Sequence, residues 1–208
     1  MAKIHSTLSP SSSAEILQFP TCSYSTYVSR EREVFTIWMK SLVFNGSGCT
    51  VYDSKGSIVY RVDNYDCKCS EKVYLMDISG KVLIEILKKN LLFGRWEGYR
   101  WNDTEIEANS WFKVKKTCTI FRRETSFCEF LNDSGCLMNY KIDGFHKKFS
   151  CKIIDTSSGL VVAEVKKKVT NSGVVLGDDV LTLEVEPNID HSLIMGLVLV
   201  YSLMNRSI

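Results

Sequence analysis

A short pattern recurs along the chain, in which an alternating apolar run is followed by Asp, small polar residues and Gly, and then by a second alternating run. Asp accepts hydrogen bonds from the backbone two residues further on, and Gly adopts the positive φ that closes a short loop, so the pattern is typical of a β-hairpin. The four copies are "TVYDSKGSIVYRV", "VYLMDISGKVLIEI", "CEFLNDSGCLMNY" and "CKIIDTSSGLVVAEV". Their turns are expected at Asp53–Gly56, Asp77–Gly80, Asp133–Gly135 and Asp155–Gly159.

The flanks of these turns alternate between apolar and polar residues, as the strands of a half-buried sheet do. The chain is therefore predicted to be mainly β and antiparallel, and closure into a barrel is favoured because it removes unpaired strand edges. The spacing from Asp53 to Asp133 nearly equals that from Asp77 to Asp155, which fits either a duplicated half-sheet or coincidence. The side chains expected to face the core include Ile58, Tyr60, Val62, Val161, Ala163, Val165, Leu181, Leu183 and Val185.

The end of the chain carries an uncharged apolar run from Leu193 to Met204. A helix that crosses a membrane needs about 20 apolar residues, and this run is too short. Pro187 ends the preceding strand, and Asn188 or Asp190 can cap a helix that follows. Because apolar residues occupy every side of the helix predicted at residues 190–205, the helix has to be surrounded by protein, and the barrel interior is its simplest host.

Residues 1–22 combine Ser clusters with two of the three prolines and show no periodicity, which predicts a disordered tail before a single domain at residues 23–208. The tail has no basic segment followed by an apolar segment of signal-peptide length. A cytoplasmic protein is therefore expected, peripheral at the plasma membrane or nuclear in part. The eight cysteines are then predicted to carry free thiols. With three histidines, none near a cysteine pair, neither a metal nor another cofactor is expected.

Six segments carry a family likeness: "VYDSKGSIVYRVDNY" (51–65), "LMDISGK" (75–81), "RW" (95–96), "CKIID" (151–155), "VVAEVKKK" (161–168) and "LGDDVLTLEVEPNIDHSLIMGLVLV" (176–200). Together they resemble the LURP-one-related family of plant proteins, which is itself similar to the tubby and phospholipid-scramblase group. The resemblance implies a tubby-like closed barrel of about twelve strands around a C-terminal helix.

The resemblance also implies candidate functions. Tubby-like proteins are known for binding phosphoinositides at the plasma membrane and for a proposed role in transcription, whereas LURP-one-related proteins are linked to plant defence without an agreed biochemical activity. Where relatives close the helix with acidic residues, this chain has Ser202, Leu203 and Met204. That departure predicts a helix end that is buried deeper or packs against a partner.

The formal net charge of +2 is close to neutral, so electrostatic binding requires a local basic patch. Clustered ammonium groups satisfy several phosphate oxygens at once, as a phosphoinositide headgroup requires. The alternative is a set of solvated strand faces balanced by the 24 acidic residues. The residues that contact lipid in tubby-like proteins cannot be aligned with this sequence residue by residue, so the resemblance identifies no lipid-binding residue. The candidate lipid-binding residues are Lys113, Lys115, Lys147, Lys148, Lys166, Lys167 and Lys168, and further basic pairs stand at Lys88 and Lys89 and at Arg122 and Arg123.

Catalytic motifs are missing from the sequence, which lacks G-x-S-x-G, H-E-x-x-H and a Gly-rich phosphate loop, and of its histidines only His146 is expected in a loop. The prediction is a non-enzymatic signalling or adaptor protein that binds anionic membrane lipid or a protein partner through the barrel exterior. A nucleic-acid-binding regulator is the second hypothesis, which the low net charge disfavours. The third is a small-ligand carrier, which requires a barrel cavity beside the helix. Core or rim packing, rather than base stacking, is expected for Trp38, Trp96, Trp101 and Trp111.

Overall fold

The computed structural model describes most of the chain after residue 25. The described ranges are 26–39, 48–63, 72–90, 95–102, 105–117, 123–145, 148–170, 172–177 and 179–204. The tail predicted at residues 1–22 lies outside these ranges, and so do His146 and Lys147.

Thirteen strands and one helix lie within the described residues. They are β1 (Glu33–Trp38), β2 (Cys49–Tyr52), β3 (Ile58–Asp63), β4 (Lys72–Asp77), β5 (Val82–Asn90), β6 (Arg95–Asn102), β7 (Glu105–Ile106), β8 (Phe112–Lys116), β9 (Arg123–Leu131), β10 (Leu137–Phe145), β11 (Lys148–Asp155), β12 (Val161–Lys167), β13 (Val180–Val185) and α1 (His191–Met204).

Twelve of these strands form one closed antiparallel barrel. Each strand pairs with the next along the chain, β6 pairs with β8, and β13 returns to pair with β1. The two-residue strand β7 is an addition that pairs with the end of β6. The prediction of a closed antiparallel barrel with a C-terminal helix is confirmed.

Successive strands run in opposite directions, so the connections alternate between the two ends of the barrel. The four predicted hairpin turns and the connection from β13 to α1 all lie at one end, which we call the turn end. The opposite end, where β5, β8 and β12 finish, is called the far end. The helix begins at the turn end, and Tyr201 near its other terminus lies against Gly144, close to the point where β10 ends.

The hairpin turns form as their chemistry predicts, with one correction. Asp53 Oδ1 accepts hydrogen bonds from the backbone N–H groups of Lys55 and Ser57, and Gly56 has φ of 84°. In the third hairpin this role belongs to Asn132, which accepts from the N–H groups of Ser134 and Cys136, and not to Asp133 as expected. In the first three hairpins the residue that leads the turn stands three positions before Gly, which makes Asn132 the leading residue of the third and leaves the side chain of Asp133 available for other contacts.

The inward faces follow the predicted alternation except beside two register shifts. Leu181, Leu183 and Val185 are buried on β13, as predicted. On β12 the expectation for Val161 is wrong, because Val161 is 38% exposed and Val162 is buried in its place. A shift in the pairing of β11 with β12 causes this change of face, and a similar shift between β2 and β3 accompanies the half-buried position of Ile58.

The helix fills the barrel interior. Every residue from Ser192 to Ser202 is buried, and Asp190 rather than Asn188 is the cap, because its Oδ1 accepts from the N–H groups of Ser192 and Leu193. Ser202 is fully buried, whereas Leu203 and Met204 are half-buried. None of the described helical residues form a helix long and apolar enough to cross a membrane.

The helix approaches the barrel wall closely at Phe112, which is fully buried between two glycines. A Cβ atom on Gly98 of β6 would lie 2.2 Å from the Phe112 ring, and one on Gly196 of the helix would lie 3.1 Å from it. The ring therefore occupies the space that a side chain at position 98 would need, and it leaves only a tight fit for one at position 196.

Candidate functional sites at the two ends of the barrel

Strand direction brings basic residues that are distant in sequence to the far end of the barrel. The strands β5, β8 and β12 all run from the turn end to the far end, and β6 begins there. Basic side chains stand at the far-end termini of all four strands. They are Lys88, Lys89, Arg95, Lys115, Lys116, Lys166 and Lys167, and Lys168 follows β12 directly.

The two predicted lysines of β8 have different surroundings. Lys113 stands opposite Glu97 on β6 and Glu129 on β9, so its charge is balanced across both strand pairs. Lys115 is exposed and stands opposite Arg95 on one side and Phe127 on the other. Directly opposed like charges destabilise a sheet, and here Arg95 is balanced by its ion pair with Glu97, whereas Lys115 has no carboxylate directly opposite it on either neighbouring strand.

The Glu97 carboxylate has a lowered pKa among the positive charges of this face. Its burial acts to raise the pKa, but the hydroxyl of Tyr99, the guanidinium of Arg95 and the nearby Lys113 outweigh burial and lower the pKa. Lys89 lies over the ring of Tyr99, with its Nζ 5.2 Å from the ring centroid. Basic groups from β5, β6 and β8 thus surround one ionised carboxylate.

The predicted lysines of β12 lie on another part of the same end. Lys166 pairs with Glu184 at 2.6 Å, Lys168 Nζ donates to Thr36 Oγ1 at 2.5 Å, and Lys167 is half-buried. Four strand spacings of about 4.8 Å separate β8 from β12, which is roughly 19 Å around the barrel. The two lysine groups therefore share an end without forming one compact pocket. Lys148 begins β11, and Lys147 lies outside the described residues.

An apolar hairpin projects from the far end between β12 and β13, a feature that the sequence reasoning missed. Val169 pairs with Val175 beyond the last residue of β12, and the N–H of Thr170 donates to the carbonyl of Val174. Between 49% and 60% of each apolar side chain of this hairpin is exposed, and the set is Val169, Val174, Val175 and Leu176. The available signal was the "VVL" run directly after a Gly turn.

A second constellation, also missed from the sequence, centres on Arg100 inside the turn end. The guanidinium of Arg100 lies 3.6 Å from the centroid of the Trp111 ring. Its Nη1 is 3.3 Å from Oδ1 of Asp133, and its Nη2 is 3.5 Å from Oδ2 of Asp190, the helix cap. Arg100 thus connects the wall of the barrel, the third hairpin and the start of the helix.

Two cavities flank Arg100, and both are lined by Arg100, Trp111, Asp133 and Asp190. The first has a volume of about 300 Å³ and is mainly apolar, with Phe130, Met138, Val162 and Leu193 among its lining residues. The second has a volume of about 330 Å³ and is also lined by Tyr27, Lys81, Leu83, Ile84, Trp101 and Ser192. The small-ligand hypothesis required cavities of this kind beside the helix.

His191, next to the cap residue Asp190, forms a neutral pair with Tyr60 of β3. The hydroxyl of Tyr60 lies 2.5 Å from Nδ1 of His191. Burial lowers the pKa of His191 although Asp190 acts to raise it, and burial raises the pKa of Tyr60. The neutral imidazole accepts a hydrogen bond from the Tyr60 hydroxyl. This contact ties the first turn of the helix to β3.

A sequence profile of the LURP-one-related family matches residues 33–202. The chain belongs to the LURP-one-related family. Protein LURP-one-related 11 of Arabidopsis thaliana is 43% identical over 214 residues, which cover 99% of this chain and 89% of the relative. Protein LURP-one-related 3 of the same plant is 46% identical over 180 residues, which cover 85% of this chain and 82% of the relative. The names of these relatives describe no catalytic activity.

A similar fold is seen in an X-ray structure of an Arabidopsis thaliana protein. That structure matches with a TM-score of 0.56 and 18% sequence identity, and the match covers 85% of this chain and 93% of the other. At this identity the likeness establishes the barrel fold and leaves the ligand to be inferred from the residues.

Thiols and tryptophans of this LURP-one-related chain serve mainly in packing. Cys49, Cys128 and Cys151 are buried free thiols, and burial raises the pKa of Cys49 and of Cys151 to about 12, so these thiols are protonated at neutral pH. Across the described ranges, no group of three or more His, Cys, Asp or Glu residues is placed to hold a metal ion. Trp96 and Trp111 are buried, Trp101 is half-buried, and Trp38 is 42% exposed beside the far end.

Proposed function

We propose that this LURP-one-related protein is a non-enzymatic signalling or adaptor protein of plant defence that docks on an anionic phospholipid surface through the far end of its barrel. The observation that supports the proposal is the charge polarity of the fold. Strand direction collects most of the basic side chains named above at the far end, where Asp63 and Asp179 also lie, whereas Asp53, Asp77, Asp133, Asp155 and Asp190 all stand at the turn end. A protein with a net charge of only +2 therefore presents one end preferentially to a negative surface.

The electrostatic attraction comes mainly from exposed groups close to the surface. Each Lys or Arg near an anionic leaflet contributes about 1 kcal/mol, and the attraction decays within a Debye length of about 8–10 Å. Lys89 and Lys115 are exposed at the far end, and Lys115 faces Arg95 rather than a carboxylate. These residues are better placed for lipid contact than Lys166, which is paired with Glu184.

The apolar hairpin adds a second contribution at the same end. Val174 and Leu176 are exposed next to the lysines of β12, and Trp38 lies on the strand that pairs with the start of β13. Apolar side chains beside basic ones favour the boundary between headgroups and acyl chains. There the apolar side chains are removed from water and the basic side chains contact phosphate.

Flotation of the full-length protein with phospholipid vesicles tests the proposal. We expect binding to vesicles that contain phosphatidylserine or a phosphoinositide, and no binding to pure phosphatidylcholine. Lys115→Glu should weaken binding about tenfold, because one favourable charge becomes repulsive. The matched control is Lys55→Glu in the first hairpin turn, at the opposite end, which should bind as the wild type does. Equal binding to neutral vesicles, or an equal effect of both substitutions, contradicts the proposal.

The hairpin is tested in the same assay at raised salt. Val175→Ser with Leu176→Ser should abolish the binding that survives in about 0.5 M salt, where screening removes most of the electrostatic attraction. Leu137→Ser with Leu160→Ser removes two exposed apolar side chains at the turn end and should leave vesicle binding unchanged.

A further inference from the structure

We propose that the mouth of the barrel at the turn end binds a small aromatic carboxylate, whose ring lies in the cavity lined by Tyr27, Trp101 and Trp111 and whose carboxylate is held by Arg100 and Lys81. This site is independent of the lipid-binding end, since the two lie at opposite ends of the barrel. It rests on the shape of the cavity, on the geometry of Arg100 and on the charges that surround it.

The shape of the cavity fits a flat apolar group. Its volume of about 330 Å³ lies within the range of about 300–1,000 Å³ that small-molecule sites occupy. Besides the three aromatic side chains, Leu83 and Ile84 contribute apolar surface to its lining. An aromatic ring gains by stacking on indole and phenol faces, and it loses little conformational entropy because it is rigid.

The geometry of Arg100 leaves its hydrogen-bonding capacity incompletely used. Its contacts with Asp133 are 3.3 and 3.4 Å and its contact with Asp190 is 3.5 Å, whereas charge-assisted hydrogen bonds in proteins measure about 2.7–2.9 Å. The side chain of Asp133 is 64% exposed, so it can swing into solvent at small cost. A ligand carboxylate that replaces Asp133 gains a shorter, bidentate contact with a guanidinium already oriented by Trp111.

Two cations, Arg100 and Lys81, line this cavity together with Asp133 and Asp190, and Asp77 lies close to Lys81. Asp190 already accepts hydrogen bonds from the N–H and hydroxyl of Ser192 and from the N–H of Leu193, and the positive end of the helix dipole offsets its charge. Lys81 supplies a second cation to the cavity lining. The indole N–H of Trp101 is buried and has no acceptor within the described part of the chain.

The neighbouring cavity is the place where a cationic ligand would compete with this assignment. Asp133, Asp155 and Asp190 all line it. However, Asp155 already accepts hydrogen bonds from the N–H and hydroxyl of Ser157 and from the hydroxyl of Ser158, and Asp190 is occupied by the helix cap. Of these three carboxylates, Asp133 is left to bind a cation, and it already lies beside the positively charged Arg100. An aromatic carboxylate is therefore preferred over a cationic ligand.

Calorimetric titration of the full-length protein with three probes of nearly equal shape tests the proposal: 1-naphthoate, 1-naphthamide and 1-naphthylmethylamine. We expect saturable binding of the carboxylate, at least about tenfold weaker binding of the amide, and no preference for the ammonium. Arg100→Gln and Lys81→Gln should each weaken naphthoate binding about tenfold, whereas Lys55→Gln, at a turn outside both cavities, should not. Thermal unfolding of each variant shows whether the barrel is intact.

Asp133→Ala provides a readout that a purely structural role would not give. Because Asp133 is paired with the Arg100 guanidinium in the unliganded protein, replacing Asp133 by Ala should tighten naphthoate binding severalfold. The proposal is overturned if no probe saturates, if the amide or the ammonium binds as tightly as the carboxylate, or if both Arg100→Gln and Lys81→Gln bind like the wild type. Weaker binding by Asp133→Ala also counts against it.

Discussion

His191 begins the helix, and its imidazole packs against Tyr60 and Phe35. Burial lowers its pKa below the ordinary value of 6.5. Well above pH 6.5 the imidazole is neutral in the folded and the unfolded chain alike. As the pH falls below 6.5, the unfolded chain takes up a proton that the folded chain does not, so the free energy of unfolding should decrease until the pH passes the lower, folded pKa.

We predict that His191→Gln removes this decrease, because glutamine keeps an acceptor for the Tyr60 hydroxyl and does not titrate. Urea unfolding followed by circular dichroism, between pH 7.5 and about pH 5, measures the slope. Carboxylates with ordinary pKa values of about 4 titrate mostly below this interval. Equal slopes for the variant and the wild type would show that His191 is not the group responsible.

The importance of single residues at the turn end could not be predicted from sequence. Arg100 stands in "GYRWND", where nothing distinguishes an inward arginine from a solvated one. Its contact with Asp133 depends on Asn132 leading the third turn, and its contact with Asp190 depends on barrel closure. Local sequence carries neither piece of information.

The third hairpin shows how one element divides its work between neighbouring residues. Asn132 accepts backbone hydrogen bonds of 3.1 and 2.8 Å that shape the turn, whereas Asp133 points toward Arg100. We predict that Asn132→Ala lowers the free energy of unfolding by about 1 kcal/mol, since two backbone N–H groups lose their side-chain acceptor and bond to water instead. Asp133→Ala should change the free energy of unfolding by less than about 0.5 kcal/mol, because exposed ion pairs contribute little. Unfolding of the two variants in guanidinium chloride measures both changes in free energy. A larger loss for Asp133→Ala than for Asn132→Ala would mean that Asp133 shapes the turn.

At the level of elements, the hairpins and the helix were predictable because their signals are local. Turn residues, alternation and the Asp190 cap lie within a few positions of the structure that they specify. The register shifts that expose Val161 and half-bury Ile58 were not predictable, since a bulge depends on the partner strand. The far-end grouping of lysines required strand directions, which follow only once the order of the barrel is known.

The whole molecule depends on mutual burial of barrel and helix. Each large apolar side chain of the helix contributes roughly 1.5–3 kcal/mol when fully buried, and eight of them, from Leu193 to Tyr201, are buried inside the barrel. A net stability of about 5–15 kcal/mol cannot absorb that loss. Within the described part of the chain, the helix covers the inward face of the barrel wall, where Phe112 and Ile84 pack directly against Gly196.

We therefore predict that deletion of residues 190–208 gives an insoluble product without a cooperative unfolding transition. Two point variants grade the effect and keep the test informative if the truncated chain cannot be purified. Leu197→Ala, at a fully buried position, should lower the free energy of unfolding by about 2–5 kcal/mol, and Leu203→Ala, at a half-buried position, should lower it by clearly less. Far-UV circular dichroism during urea unfolding measures all three. A truncated chain that is soluble and unfolds cooperatively would mean that the barrel closes without its helix, and equal losses at Leu197 and Leu203 would mean that the helix is not packed as the structure has it.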